Sequence, residues 1–173
     1  MMADSTNLLL KEELDRQSIC RLLADFMLKK KFYLATAESC TGGMIAAACT
    51  DLAGSSQWFD RGLVTYSNAA KTQMLGVDAA LIDQHGAVSE PVARAMAQGA
   101  LQHSAAQVSV AVTGVAGPGG GSAEKPVGTV WLAWSAYGET SAELCQFDGD
   151  RATVRALTVQ RALQGLLQRL DVK

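Results

Sequence analysis

Several short polar segments of this chain carry residue types suited to attack on a carbonyl. Gly54-Ser55-Ser56 offers a serine at a glycine, TYSNAAK places Tyr66 and Lys71 together, and Ser39-Cys40-Thr41-Gly42-Gly43 sets hydroxyls and a thiol at a tight turn. A serine nucleophile needs a base, and His85 and His103 sit in unpromising neighbourhoods for a serine–histidine–aspartate arrangement. A lysine held neutral in an apolar pocket is the available substitute: Lys71, five residues after Tyr66, could deprotonate a serine, with Ser56 among the candidates. Cys40 is a rival nucleophile, since a helix N-terminus lowers a thiol pKa. On residue type alone, these positions also serve as ordinary capping, surface or small buried residues. A separate run, VTGVAGPGGGSAEKPVGTVW from Val112 to Trp131, has the layout of a ligand loop between strands. Its glycines let backbone amides approach an anion, and Pro118 stiffens the turn.

The elements that must position these residues follow from periodicity. Ile19, Leu22, Leu23, Phe26 and Met27 recur at helical spacing behind the charged stretch Lys11 to Arg16, which predicts a long amphipathic helix ending near Lys30. The triplet Lys29-Lys30-Lys31 then complements the negative end of that helix. Phe32 to Ala37 reads as a buried strand, and the turn Ala37 to Gly43 leads into a helix from Met44 to Leu52, with Thr41 as N-cap and the free amides of its first turn facing a ligand. Phe59 to Ser67 is a second strand, and a short helix spans Ala69 to Leu75. Ser89-Glu90-Pro91 opens a helix to His103 whose stripe of Val92, Ala95, Met96, Gly99 and Ala100 suits close packing on a sheet. Val108 to Thr113 and Val127 to Ser135 are apolar strands flanking the glycine loop, Ser141 to Phe147 alternates like an edge strand, and Asp148-Gly149-Asp150 caps a final helix. Helices between strands predict a layered α/β domain. The polar clusters at Ser39 to Gly43, Tyr66 to Lys71 and Thr113 to Gly121 all follow strands, and their convergence would form one pocket.

Composition narrows the function classes. With 173 residues, 49% of them apolar, the chain suits a single domain, and a formal charge of −2 without a basic stripe argues against nucleic-acid or membrane-surface binding. There is no leader-like start and no long apolar run, which predicts a soluble cytoplasmic protein. The cysteines, Cys20, Cys40, Cys49 and Cys145, show neither ligand nor disulfide-framework spacing, so reduced thiols and no metal are expected. Neither GxGxxG after the first strand nor GxxxxGK[ST] occurs, which weakens dehydrogenase and kinase readings.

Taken together, AESCTGG, GSSQWFDRGLVTYSNAAK, HGAVSEPVARAMA, GVAGPGGGSAEKPVGTVW and FDGDR resemble the nicotinamide mononucleotide deamidase family, also called the CinA C-terminal domain family, over about Ala35 to Leu167. The resemblance implies a three-layer α/β/α sandwich on a mixed central sheet. It implies hydrolysis of the carboxamide of nicotinamide mononucleotide without a cofactor, in pyridine nucleotide salvage, by a homo-oligomer. Carried over by position, it implies Ser56 as nucleophile, Lys71 as base and Tyr66 as an assisting group. It further implies Ser39, Thr41, Gly42, Thr113, Gly114 and Gly117 around the substrate, and Arg151 on the phosphate, with Lys125 as a weaker candidate. The expected form is stand-alone, residues 1–31 supplying only a helix and arm. A catalytically silent paralogue that binds a ligand or regulates is the alternative, and an amidohydrolase for another carboxamide is a second. Trp58, Trp131 and Trp134 are candidates for an oligomer surface as well as for the core.

Overall fold

The computed structural model describes residues 14–171. Asp15 opens the first helix, α1 (Arg16–Lys30), by accepting a hydrogen bond from the Ser18 amide, and Lys31 ends it in a left-handed conformation. The part of the sequence reading that covers Lys11 to Glu13 lies outside the described residues. The chain continues through β1 (Leu34–Glu38), α2 (Met44–Thr50), a 3-10 turn (Ser55–Gln57), β2 (Phe59–Val64), α3 (Asn68–Leu75), α4 (Ala79–His85), α5 (Glu90–Gln102), β3 (Val108–Gly114), β4 (Thr129–Ala136), β5 (Glu139–Gln146) and α6 (Arg151–Arg169). Helix α4, absent from the sequence reading, is capped by Asp78 and closed at Gly86.

The strands form one mixed sheet in the order β2-β1-β3-β4-β5. β1 runs parallel to both β2 and β3, while β3–β4 and β4–β5 are antiparallel. Side-chain alternation divides the core in two. Leu34, Val108, Val110, Val112, Leu132 and Trp134 point into the layer formed with α1, α2 and α6. Ala35, Ala37, Ala111 and Ala133 point to the other face, against α3, α4 and α5. Small residues on that face let α5 approach closely, and Ser109 Oγ donates to its Ala97 carbonyl at 2.7 Å. The α/β/α layering expected from the sequence is therefore present.

Two expectations about packing change. Gly99 faces α3 rather than the sheet alone: a Cβ there would lie 2.1 Å from the Leu75 carbonyl oxygen. Trp58 and Trp134 are core residues, 1% and 2% exposed, so neither offers an oligomer surface. Trp134 donates from its indole nitrogen to Ala162 at 2.9 Å, and the Arg169 guanidinium stacks 3.5 Å from its ring centre. The indole rests on Gly165, where a Cβ would come within 2.2 Å of the ring. Gly165→Ala is expected to lower unfolding free energy by about 1–3 kcal/mol, because a packed core has no room to yield, as urea denaturation would measure. Among the described residues no helix is long and apolar enough to cross a membrane.

Candidate functional site

Parallel strands present their carboxyl ends at one edge, so the residues following β1, β2 and β3 meet there. The Thr65 amide donates to the Glu38 carbonyl at 2.8 Å, and the Ser39 amide donates to that of Val112 at 3.0 Å. These bonds extend the sheet one step beyond its strands and fix where the polar turns begin.

Lys71 occupies this junction. It sits in α3, which Ser67 caps through the Ala70 amide, and it is only 1% exposed. Its Nζ lies 3.0 Å from Ser39 Oγ and 2.9 Å from the Thr65 carbonyl oxygen. Burial pulls the ammonium pKa below the usual lysine value, because the charged form has lost water. Lys71 Nζ donates to both oxygens as it stands; once deprotonated, it can keep one N–H on the Thr65 carbonyl and turn its lone pair toward the Ser39 hydroxyl. Ser39 is partly exposed, unlike the buried residues on either side of it.

Ser56 is not in this group. It lies in the 3-10 turn that precedes β2, and Trp58, two residues on, accepts through its carbonyl from the Leu34 amide at the start of β1. A residue before a strand sits at the opposite edge from a residue after it. The length of β2 therefore separates Ser56 from Lys71, about 20 Å at strand rise. The structure therefore does not bring Ser56 to Lys71, and the serine in contact with that lysine is Ser39. Cys40 fares no better as a nucleophile. It is 5% exposed and burial pushes its thiol up to about 11, so it does not have the lowered pKa expected of a helix N-terminus.

The turn after Ser39 is organised by a residue absent from the sequence reading. Glu38, completely buried, accepts from Thr41 Oγ1 at 2.6 Å, from Thr36 Oγ1 at 3.2 Å, and from the amides of Gly43, Ile45 and Ala46 at 3.1, 3.0 and 2.8 Å. The N-terminal amides of α2 are thus taken by the protein's own carboxylate rather than offered to a ligand. Thr41 is neither the N-cap, which is Gly43, nor a substrate contact: it is completely buried with its hydroxyl committed to Glu38. Gly42 is exposed in a left-handed conformation beside Ser39.

The glycine loop contributes backbone and shape. Thr113 is 1% exposed and its hydroxyl donates to the Ala87 carbonyl at 2.8 Å, which ties β3 to the approach of α5 rather than facing the opening. Gly114 keeps β3 against β4, since a Cβ would stand 2.7 Å from Val130 Cγ2. Gly117 presents its carbonyl to Arg151, whose Nη1 donates to it at 2.8 Å while Nη2 donates to the Tyr66 hydroxyl at 2.7 Å. One guanidinium thereby links the glycine loop, the start of α6 and the β2–α3 connection. Lys125 donates to the His85 carbonyl at the end of α4, 3.0 Å away. Beside this link lies a cavity of about 640 Å³, lined by Ala116, Pro118, Val127, Arg151 and Arg155 among others. Among the described residues no group of three His, Cys, Asp or Glu side chains is arranged to hold a metal.

Arg155 is the other site residue that sequence reasoning missed. Its signal was its spacing, four residues after Arg151 and so on the same face of α6. For Glu38 the signal was the one charged residue of its strand, closing it just before a glycine turn.

Comparison with known proteins is consistent over most of the length. The family model for the CinA C-terminal domain matches residues 16–170. A Pseudomonas putida protein named nicotinamide-nucleotide amidohydrolase PncC is 59% identical over 135 residues, covering 78% of this chain and 84% of that protein. An Escherichia coli K12 protein of the same name is 56% identical over 136 residues, covering 78% and 82%. A CinA-like protein of Akkermansia muciniphila is 52% identical over 155 residues, and there the chain spans 36% of the relative's length. Among solved structures, a competence/damage inducible protein from Agrobacterium tumefaciens superposes with a TM-score of 0.87 at 47% identity, covering 91% of this chain and 96% of that one.

Proposed function

We propose that this chain, which belongs to the CinA C-terminal domain family, hydrolyses the carboxamide of nicotinamide mononucleotide to nicotinate mononucleotide and ammonia. The observation that carries this reading is the 3.0 Å contact between a buried lysine and a partly exposed serine, Lys71 Nζ and Ser39 Oγ. In the proposed reaction, neutral Lys71 accepts the Ser39 proton as Oγ bonds to the carboxamide carbon. The resulting ammonium returns the proton to the amide nitrogen, the C–N bond breaks and ammonia leaves an ester on Ser39. Water, deprotonated by Lys71, then cleaves the ester and restores the serine. The cationic pyridinium ring withdraws electrons from the carboxamide, which makes it more electrophilic than a neutral benzamide.

Tyr66 accepts from Arg151 and so keeps its own O–H free to donate toward the substrate. Arg151 binds the phosphate beside the 640 Å³ cavity. Arg151→Ala is expected to raise KM for the mononucleotide by about 10- to 100-fold, the worth of a charge-assisted hydrogen bond, while barely changing turnover of the uncharged riboside. An equal effect on both substrates would remove Arg151 from the phosphate.

The reading itself is tested by incubating the protein with nicotinamide mononucleotide and following both products. Equal amounts of ammonia and nicotinate mononucleotide support it. Substrate binding without turnover would favour the silent paralogue, which the intact Ser39–Lys71 contact disfavours. Equal turnover of nicotinamide would favour a different carboxamide. On the family resemblance, the protein acts in the cytoplasm as a homo-oligomer, and sedimentation as a clean monomer at micromolar protein would contradict the assembly.

A further inference from the structure

The turn carrying Ser39 is gripped from two sides by charged groups whose described hydrogen bonds reach neither Ser39 Oγ nor Lys71 Nζ. From one side Glu38 takes the α2 amides and the Thr41 hydroxyl. From the other, Arg155 reaches across from α6: its Nε donates to the Cys40 carbonyl at 3.1 Å and its Nη2 to the Thr41 carbonyl at 3.0 Å. Because a peptide unit is planar, holding two successive carbonyls fixes the orientation of the Cys40–Thr41 and Thr41–Gly42 planes. The second plane matters directly, since the Gly42 amide donates to the Ser39 carbonyl at 3.0 Å. Gly42 and Gly43, with φ of +60° and +100°, are the points where this turn has the greatest backbone freedom. An external grip is therefore needed to keep one conformation. The two charges are complementary in function: the carboxylate satisfies N–H groups, and the guanidinium satisfies C=O groups.

We propose that Arg155 and Glu38 are positioning residues that hold Ser39 Oγ within reach of Lys71, Arg155 through the peptide carbonyls and Glu38 through the α2 amides and Thr41. The proposal rests on the reading of Ser39 as nucleophile. It differs from a phosphate-binding role for Arg155, which also lines the 640 Å³ cavity, because the two roles act on different kinetic constants. Positioning lowers kcat and leaves KM, whereas a lost substrate contact raises KM.

The test measures kcat and KM for nicotinamide mononucleotide in Arg155→Met, Arg155→Lys and Thr41→Val, with thermal unfolding recorded for each. Arg155→Met is expected to lower kcat by about 10- to 100-fold, the scale of a misplaced reacting group, with KM kept within about threefold. Arg155→Lys regains part of the loss, because an ammonium lacks the fixed fork that spans both carbonyls. Thr41→Val, of nearly equal shape, removes one donor to Glu38 and lowers kcat in the same way, which keeps the proposal testable if Arg155→Met does not fold. A second readout needs no nucleotide: the rate at which a fluorophosphonate labels Ser39, forming the Oγ–P bond with loss of fluoride and transfer of the proton to Lys71. That rate is expected to fall in step with kcat. A rise in KM at constant kcat, or unchanged kcat in both Arg155→Met and Thr41→Val, overturns the positioning role, and so does unchanged labelling alongside a lowered kcat. Ser39→Ala run beside them separates the two ideas. Turnover persisting in Ser39→Ala removes the nucleophile reading itself, whereas an inactive Ser39→Ala with normal Arg155 variants removes only the positioning.

Discussion

The Ser39→Ala protein is expected to fold as the parent does and to lose turnover of nicotinamide mononucleotide by about 10⁴-fold or more, the scale of removing a covalent nucleophile. Its fold should survive because, among the described residues, Lys71 is the one hydrogen-bond partner of Ser39 Oγ, while the turn is held through the Ser39 backbone and Glu38. Ser56→Ala, made in parallel, should keep turnover within about twofold, since a surface substitution remote from the reacting groups removes no transition-state contact. The pair of variants divides the two serines cleanly. Rates measured from ammonia release, with melting temperatures for each protein, check both statements. Loss of activity in Ser56→Ala with retention in Ser39→Ala would reverse the assignment made from the sheet's direction.

Lys71→Met carries the second large effect. The substitution keeps the buried volume but removes the base, and turnover should fall by about 10²- to 10⁴-fold, the usual contribution of a positioned proton acceptor. Its effect on stability depends on pH, set against the lost donor to the buried Thr65 carbonyl. In the parent, burial depresses the lysine pKa in the folded chain below its ordinary 10.5. Between the depressed folded value and 10.5, the unfolded chain binds more protons than the folded one, so the parent's stability rises with pH in that window. Below the folded value both states are protonated, and the desolvation cost is present in full. The Met variant lacks that cost, so its advantage over the parent should be greatest toward acid pH and shrink as pH rises. Activity of the parent follows the neutral amine, so kcat/KM should climb with pH toward the folded value. A pH–rate profile that falls through the alkaline range, or a Met variant whose stability relative to the parent grows with pH, would contradict a neutral Lys71 base.

Much of the architecture was legible because its signals are periodic and local. The apolar runs in β3 and β4, the small-residue stripe of α5 and the Asp150 cap of α6 each announce their element without help from the rest of the chain. The meeting of three polar turns was also readable, since it needs only the rule that residues after parallel strands share an edge. That same rule bears on Ser56. The serine precedes the strand beginning at Phe59, whereas Lys71 follows it, so strand order already placed the two at opposite edges. The resemblance nevertheless carried the nucleophile to the GSS segment and left Ser39 among the substrate contacts. Thr41 was misplaced because a threonine before a helix has the residue type of an N-cap, yet the competing acceptor Glu38 lies only three residues earlier. The grip of Arg155 joins residues more than a hundred positions apart, and only the packing of α6 against the α2 side of the sheet brings them together.

The central claim is that Ser39 carries the acyl group. It is tested most directly by acid-quenching the protein during turnover of nicotinamide mononucleotide and locating the covalent adduct by peptide mass spectrometry. The predicted result is an ester on the peptide containing Ser39, lost in Ser39→Ala. An ester on Ser56, or a thioester on Cys40, would contradict it.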